Sequence, residues 1–212
     1  MTRFESAKAR YEGIGVNVDE AMRIAGETAI SIHCWQGDDV AGFDRKDEAL
    51  SGGIQATGDY PGKARNFEEL SQDFLKACSL IPGKKRINLH GSYAVFAENE
   101  WVDRDKIEPR HFDAWIDFAK KNNFGIDFNP TCFSHPMVKG GFSLASTDPE
   151  VRRFWIDHCI QCRKISAYIA EKLDDQVLCN VWIPDGLKDI PTDRLGPRQR
   201  LKESLDEIFA VK

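Results

Sequence analysis

Four short β-rich runs, separated by amphipathic stretches, constrain this chain more than any other feature in it. They cover residues 29–35 (AISIHCW), 86–90 (RINLH), 125–129 (GIDFN) and 177–182 (VLCNVW). Brief runs of this kind, bounded by Gly, Pro and polar residues, read as strands. Between and after them, apolar residues recur at helical spacing. Residues 67–80 place Leu70, Phe74, Ala77 and Cys78 on one face. Asn66 is suited to cap that helix, Glu68 and Glu69 to its first turn, and Pro82-Gly83 to its end. Residues 109–123 carry Phe112, Trp115, Ile116 and Ala119 on one stripe, with Pro109 at a first-turn position. Asp148 is the expected cap of a helix over 149–173, with Val151, Phe154, Trp155, Cys159 and Cys162 facing inward. A last helix over 198–211 has Leu201, Leu205, Ile208 and Phe209 as its stripe. Two more, at 3–11 and 17–25, precede the first strand. The expected organisation is therefore an N-terminal helical segment, residues 1–28, followed by a strand–helix unit over 29–212.

Alternating strands and helices predict an α/β fold with a parallel sheet and helical crossovers. Two architectures compete, an open doubly wound sheet and a (β/α)8 barrel. No G-x-G-x-x-G follows any of the runs, and the closest phosphate-loop lookalike, residues 58–63, lacks both the spacing and the Ser/Thr of such a loop. Nothing therefore points to a nucleotide-binding open sheet. In barrel enzymes the site lies at the carboxyl ends of the strands. Here those ends deliver His33 and Trp35, then His90, then Asn129, Phe133, Ser134 and His135, then Trp182 and Asp185. Aromatic faces shield C–H surfaces and exclude water, while His, Asn and Asp bond hydroxyls, so a rim of this composition suits a sugar. Taken singly, each such Trp or His is more often core than contact; the joint placement is what points to a pocket.

Other chemistries find no support. No H-x-H or E-x-x-H set lies on neighbouring strands, and no metal site can be assembled from Asp38, Asp39, Asp127, Asp185 and Asp189. There is no G-x-S-x-G elbow. Cys159 and Cys162 form a lone C-x-x-C inside a helical pattern, which reads as buried thiols rather than a zinc or redox motif. The net charge of −5 comes with no basic stripe, so a nucleic-acid partner is not expected. No apolar run approaches the roughly 20 residues that span a bilayer. The polar first ten residues do not read as a secretory signal.

Several longer stretches resemble the L-rhamnose isomerase family: HCWQGDDV at 33–40, GGIQATG at 52–58, YPGKARN at 60–66, DFNPTCFSHP at 127–136, FWIDHC at 154–159 and VWIPDGLKD at 181–189. The resemblance runs in order along essentially the whole chain. It implies the first four βα units, preceded by N-terminal helices, of a (β/α)8 barrel related to that of xylose isomerase. It also implies a cytoplasmic, manganese-dependent, usually tetrameric enzyme that interconverts L-rhamnose and L-rhamnulose by moving hydrogen between C1 and C2. Under the resemblance, Trp35, His90, Phe133 and Trp182 are substrate-binding residues forming the pocket wall. His90 would lie near the ring oxygen or O1, and Trp182 would cover the sugar. A full member is about twice as long, so the Mn2+ ligands are expected beyond Lys212, and no catalytic residue is assigned within the chain. A fragment of this kind is expected to be inactive alone. The alternative is a non-catalytic half-barrel that binds sugar or assembles with another chain.

Overall fold

A computed structural model describes residues 1–34, 37, 38, 40–44, 61–187 and 190–211. Trp35, a predicted pocket residue, lies outside the described residues, as do Asp39, Asp189 and the GGIQATG stretch. The elements run α1 (Arg3–Glu12), α2 (Val18–Glu27), β1 (Ile30–His33), α3 (Phe67–Ser79), β2 (Lys85–His90), α4 (Asp113–Asn122), β3 (Gly125–Asn129), α5 (Pro149–Leu173) and α6 (Gly196–Ala210), with three short 3-10 turns between β2 and α4. The strands form one parallel sheet in the order β1-β2-β3. The predicted α/β class with a parallel sheet is what the chain adopts.

Local signals set the boundaries. The Asn66 side chain accepts from the Glu69 N–H at 2.9 Å and opens α3. Asp148 accepts from the Glu150 N–H at 2.9 Å, and Pro149 fills the first turn of α5, where a missing N–H costs nothing. Asn123 (φ 55°) and Asp174 (φ 49°) take left-handed conformations that end α4 and α5. The predicted helix over 109–123 is two elements. Pro109–Phe112 forms a 3-10 turn, and the α-helix begins at Asp113. Its predicted stripe, Phe112, Trp115, Ile116 and Ala119, is buried throughout. In α6, Ile208 is buried but Phe209 is exposed, with the Arg163 guanidinium over its ring, so the predicted stripe loses its last member.

Strand alternation divides the sheet into two chemically distinct faces. Ile87 and Leu89 of β2, with Ile126 and Phe128 of β3, are fully buried in a cluster with Leu70 and Phe74 of α3, Trp115 of α4 and Ile165 of α5. Burying each such side chain stabilises the fold by about 1.5–3 kcal/mol. The register pairs His33 with Asn88, Asn88 with Asp127 and His90 with Asn129, so these five polar residues share the opposite face. This reverses one sequence expectation. In a closed barrel, the sequence makes Ile30, Ile32, Leu89, Phe128 and Val181 available to an inner face that the opposite wall buries. Leu89 and Phe128 instead pack against the helices, Ile32 packs against the same cluster, and Ile30 is half exposed. A period of two establishes that a strand has two faces, not which one the helices cover.

The fourth run also departs from expectation. Residues 177–182 form no named strand. They meet β3 through one parallel bridge, Phe128 to Cys179, with the Phe128 N–H donating to Leu178 O at 2.9 Å and the Asn180 N–H to Phe128 O at 2.7 Å. The run occupies the place a fourth parallel strand would take, with one residue in register. Near the amino ends of the strands, Arg86 ties the sheet together. It pairs with Asp127 at 3.0 Å and Asp175 at 2.6 Å, and donates to the carbonyls of Ile126 and Gln176. A Cβ at Gly125 would meet that guanidinium, which would then have to shift away from its partners. Cys159 and Cys162 are buried thiols, with the Cys132 sulfur 3.6 Å from that of Cys159. Among the described residues no helix is long and apolar enough to cross a membrane.

Candidate functional site

Beyond the carboxyl end of β2 the chain turns at Gly91, where a Cβ would meet the Pro130 carbonyl oxygen at 2.6 Å and His158 Cε1 at 3.1 Å. That close approach brings the segment after β2 against the segment after β3. Thr131 is the joint between them. Its hydroxyl donates to Asn129 O at 3.1 Å, which uses its only hydrogen. Its oxygen lies 3.2 Å from the Gly91 N–H and 2.9 Å from His90 Nδ1; with the hydroxyl hydrogen on Asn129 O, it is His90 that donates, from Nδ1. Burial, followed by the neighbouring His33 and then the charge of Arg104, holds the His90 imidazole well below its usual range, so the ring is neutral. A neutral ring with Nδ1–H presents an acceptor lone pair at Nε2.

Two aromatic or titratable neighbours flank that ring. His33, at the end of β1, has its centroid 5.9 Å away. The Tyr93 ring stands at 5.1 Å, edge to face. The Tyr93 hydroxyl donates to Asp38 at 2.9 Å, and the other Asp38 oxygen accepts from the Gly42 N–H at 2.7 Å. Desolvation outweighs those donors and pushes the Asp38 carboxyl up to about 6. On the same face, Asn88 Oδ1 and Asn129 Nδ2 are buried with no hydrogen-bond partner among the described residues. The face thus keeps one acceptor and one donor in reserve, which is the capacity a polyhydroxylated ligand uses.

The second part of the site is aromatic. Phe133 is buried and meets the half-buried Trp182 edge-on, with centroids 5.5 Å apart at 85°. The structure therefore brings together two of the predicted pocket residues, Phe133 and Trp182, in direct contact. It sets His90 beside His33, and it links the two groups through the segment 131–134. That segment holds two non-glycine residues at positive φ, Thr131 (63°) and Ser134 (51°). Other candidates have structural tasks. Asp127 is occupied by Arg86 and by the Leu178 N–H. Asp185 accepts from the Ser143 and Ala145 N–H groups. His135 bonds Asp103 at 2.8 Å and stacks on Phe154 at 4.8 Å. Sequence reasoning missed Thr131, Tyr93, Asp44 and Arg104. Each acts through a partner far away in sequence, and no spacing rule reveals such a partner.

Manganese, implied by the resemblance, has no cage among the described residues. Among the described residues no group of three or more His, Cys, Asp or Glu could hold a metal ion.

The model of the family described as L-rhamnose isomerase (RhaA) matches residues 1–212. The L-rhamnose isomerase of Citrobacter koseri is 53% identical over 210 residues, covering 99% of this chain and 49% of that protein. The L-rhamnose isomerase of Salmonella gallinarum matches with the same identity and coverage. The chain spans about half the length of these curated relatives. A match over every residue, at 53% identity to these isomerases, places it: the chain belongs to the L-rhamnose isomerase family.

Proposed function

We propose that this chain builds one side of the sugar pocket of an enzyme that interconverts L-rhamnose and L-rhamnulose, as the first four βα units of a (β/α)8 barrel. The carrying observation is the neutral His90, fixed by Thr131 with Nε2 as acceptor, on a polar sheet face at the carboxyl ends of parallel strands. In this reading His90 accepts a sugar hydroxyl, His33 lies beside it, and Phe133 with Trp182 excludes water from the C–H face of the ligand. Trp35, outside the described residues, is assigned to the same wall by the resemblance alone. Manganese would polarise sugar oxygens in such an enzyme. The described residues do not fit it, so its ligands are assigned to other residues of the complete enzyme. A cytoplasmic, tetrameric protein completes the proposal.

The direct test joins residues 1–212 to the carboxyl-terminal half of the Citrobacter koseri relative. With manganese, the joined protein is expected to form L-rhamnulose from L-rhamnose, and the 212-residue chain alone is expected not to. A folded, inactive joined protein would overturn the reading. One observation favours a second reading, a piece that assembles with another chain. Among the described residues β1 pairs with β2 alone, and the 177–182 segment touches β3 at one register position. Such edges recruit partners. Sedimentation of the dilute chain is expected to show self-association or hydrophobic-dye binding; a sharply melting, dye-silent monomer would contradict it.

A further inference from the structure

Arg104 is the largest buried cation among the described residues, and the pocket reading uses only its charge, not its hydrogen bonds. It sits in the 3-10 turn Arg104–Lys106 and is 1% exposed. Its guanidinium donates to three carbonyls of one four-residue segment: Thr131 O at 2.8 Å, Phe133 O at 2.6 Å and Ser134 O at 3.1 Å. Its Nε donates to the buried Asp44 carboxylate at 2.6 Å, which balances the charge. Its own carbonyl faces His158 Nδ1 at 2.7 Å, and His158 Nε2 faces Pro130 O at 2.5 Å. The clasp is therefore closed from the α5 side as well.

The geometry points to Arg104 as a positioning residue that holds the 131–134 segment, and through it both the tautomer of His90 and the placement of Phe133 against Trp182. Left-handed backbone at Thr131 and Ser134 is unfavourable for side chains of this kind and persists only where surroundings dictate it. Carbonyls turned inward toward one guanidinium supply that dictation. A planar fork reaches several carbonyls at once, and a lysine ammonium on its flexible stem does not. At one end of the clasped segment, Thr131 Oγ1 meets His90 Nδ1. At its other end, Phe133 meets Trp182. Asp44 draws the segment after β1 into the same clasp.

The catalytic consequence rests on the isomerase reading; the structural one does not. Hydrogen–deuterium exchange on the 212-residue chain reads the second directly. Arg104→Lys is expected to raise uptake in peptides covering 131–135 and leave α5 peptides at wild-type level. In the joined family-length protein, the same change is expected to lower kcat/KM for L-rhamnose about 100-fold, the order reached when reacting groups are displaced by about an ångström. Millimolar guanidinium should restore part of the loss in Arg104→Ala and none in Arg104→Lys. Unchanged uptake at 131–135 in Arg104→Lys would overturn the proposal, and so would wild-type kcat/KM with raised uptake. If Arg104 variants loosen the whole chain, Thr131→Val decides. It keeps every carbonyl bond to Arg104 and removes the contact to His90, so a kcat/KM at wild-type level would sink the idea. Should the unsubstituted joined protein fail to turn over L-rhamnose, the isomerase reading falls, and the exchange experiment still decides whether Arg104 holds the segment.

Discussion

The two faces of the three-stranded sheet differ more than any other two regions of the molecule. One carries Ile87, Leu89, Ile126 and Phe128, all fully buried beneath α3, α4 and α5. The other carries His33, Asn88, His90, Asp127 and Asn129 on the same strands, one residue out of phase. A single-residue slip in register would exchange these sets. The apolar face is where folding free energy comes from. The polar face costs desolvation and recovers it through specific bonds, among them Arg86 to Asp127 at one end and Thr131 to His90 at the other. Substitutions should therefore sort by face: stability on one, ligand chemistry and pH response on the other.

The largest effect is expected on the helix-covered side. Trp115 is fully buried, lies edge-on to Phe67 at 4.6 Å and donates its indole N–H to Tyr93 O at 2.9 Å. Trp115→Ala should cost about 3–5 kcal/mol, through lost transfer energy and the cavity left behind. Chemical denaturation measures it. Loss of turnover in the joined protein at unchanged melting temperature would break the division of labour between the faces.

A smaller effect, different in kind, is expected at the rim. The folded-state pKa of Asp38 is raised to about 6 by burial, above its ordinary value of 3.8. The folded state therefore holds this proton more tightly than the unfolded chain does. The resulting stability is fully present below about pH 4 and is lost as pH rises through about 6, a change of about 2–3 kcal/mol. The stability difference between the wild type and Asp38→Asn, followed from pH 4 to pH 7, isolates this contribution. The wild type should fall relative to the variant across that window, and a constant difference would show that the carboxyl is not desolvated as the structure has it.

Trp182 should show the converse of Trp115. It is half-buried and meets Phe133 edge-on. Trp182→Ala in the joined protein should lower kcat/KM about tenfold, equivalent to about 1.4 kcal/mol, while the melting temperature moves little. A drop in stability comparable to that of Trp115→Ala would mean that Trp182 belongs to the core and not to a pocket wall.

What was legible in the sequence follows the same division. The span of α5, its Asp148 cap and its Pro149 start were readable because cap chemistry is local. So was β3, bounded by Gly125 and Asn129. The direction each strand faces was not, since Leu89 and Phe128 fit either an inner wall or a helix-packed one equally well by period. The 177–182 run has the composition of a strand but pairs on one side through one bridge, so propensity promised more ladder than the contacts supply. Of the predicted pocket residues, His90, Phe133 and Trp182 were named by their place after strands; the structure sets Phe133 against Trp182 and His90 beside His33. Arg104 and Thr131 were not, because an Arg in a charged loop and a Thr after Asn-Pro carry no pattern. Their roles exist only once segments some 30 residues apart have met.

The smallest expected effect tests whether packing on the sheet, and not the local cap, decides what a helix contributes. Asn66 and Asn17 are the same residue in the same role. Each accepts from a Glu N–H three residues on, Glu69 at 2.9 Å and Glu20 at 3.1 Å. The helices behind them differ. α3 buries Leu70, Phe74 and Cys78 against the sheet, whereas α2 buries no residue. A cap stabilises the whole fold only if its helix must unfold with the fold. Asn66→Ala should therefore cost about 1 kcal/mol of global stability. Asn17→Ala should leave the global transition where it is and show only as faster amide exchange in the first turn of α2. Equal shifts in the denaturation midpoint for the two variants would mean that α2 is packed against something in solution, and the first candidate would be a second copy of the chain covering the exposed Met22 and Ile24.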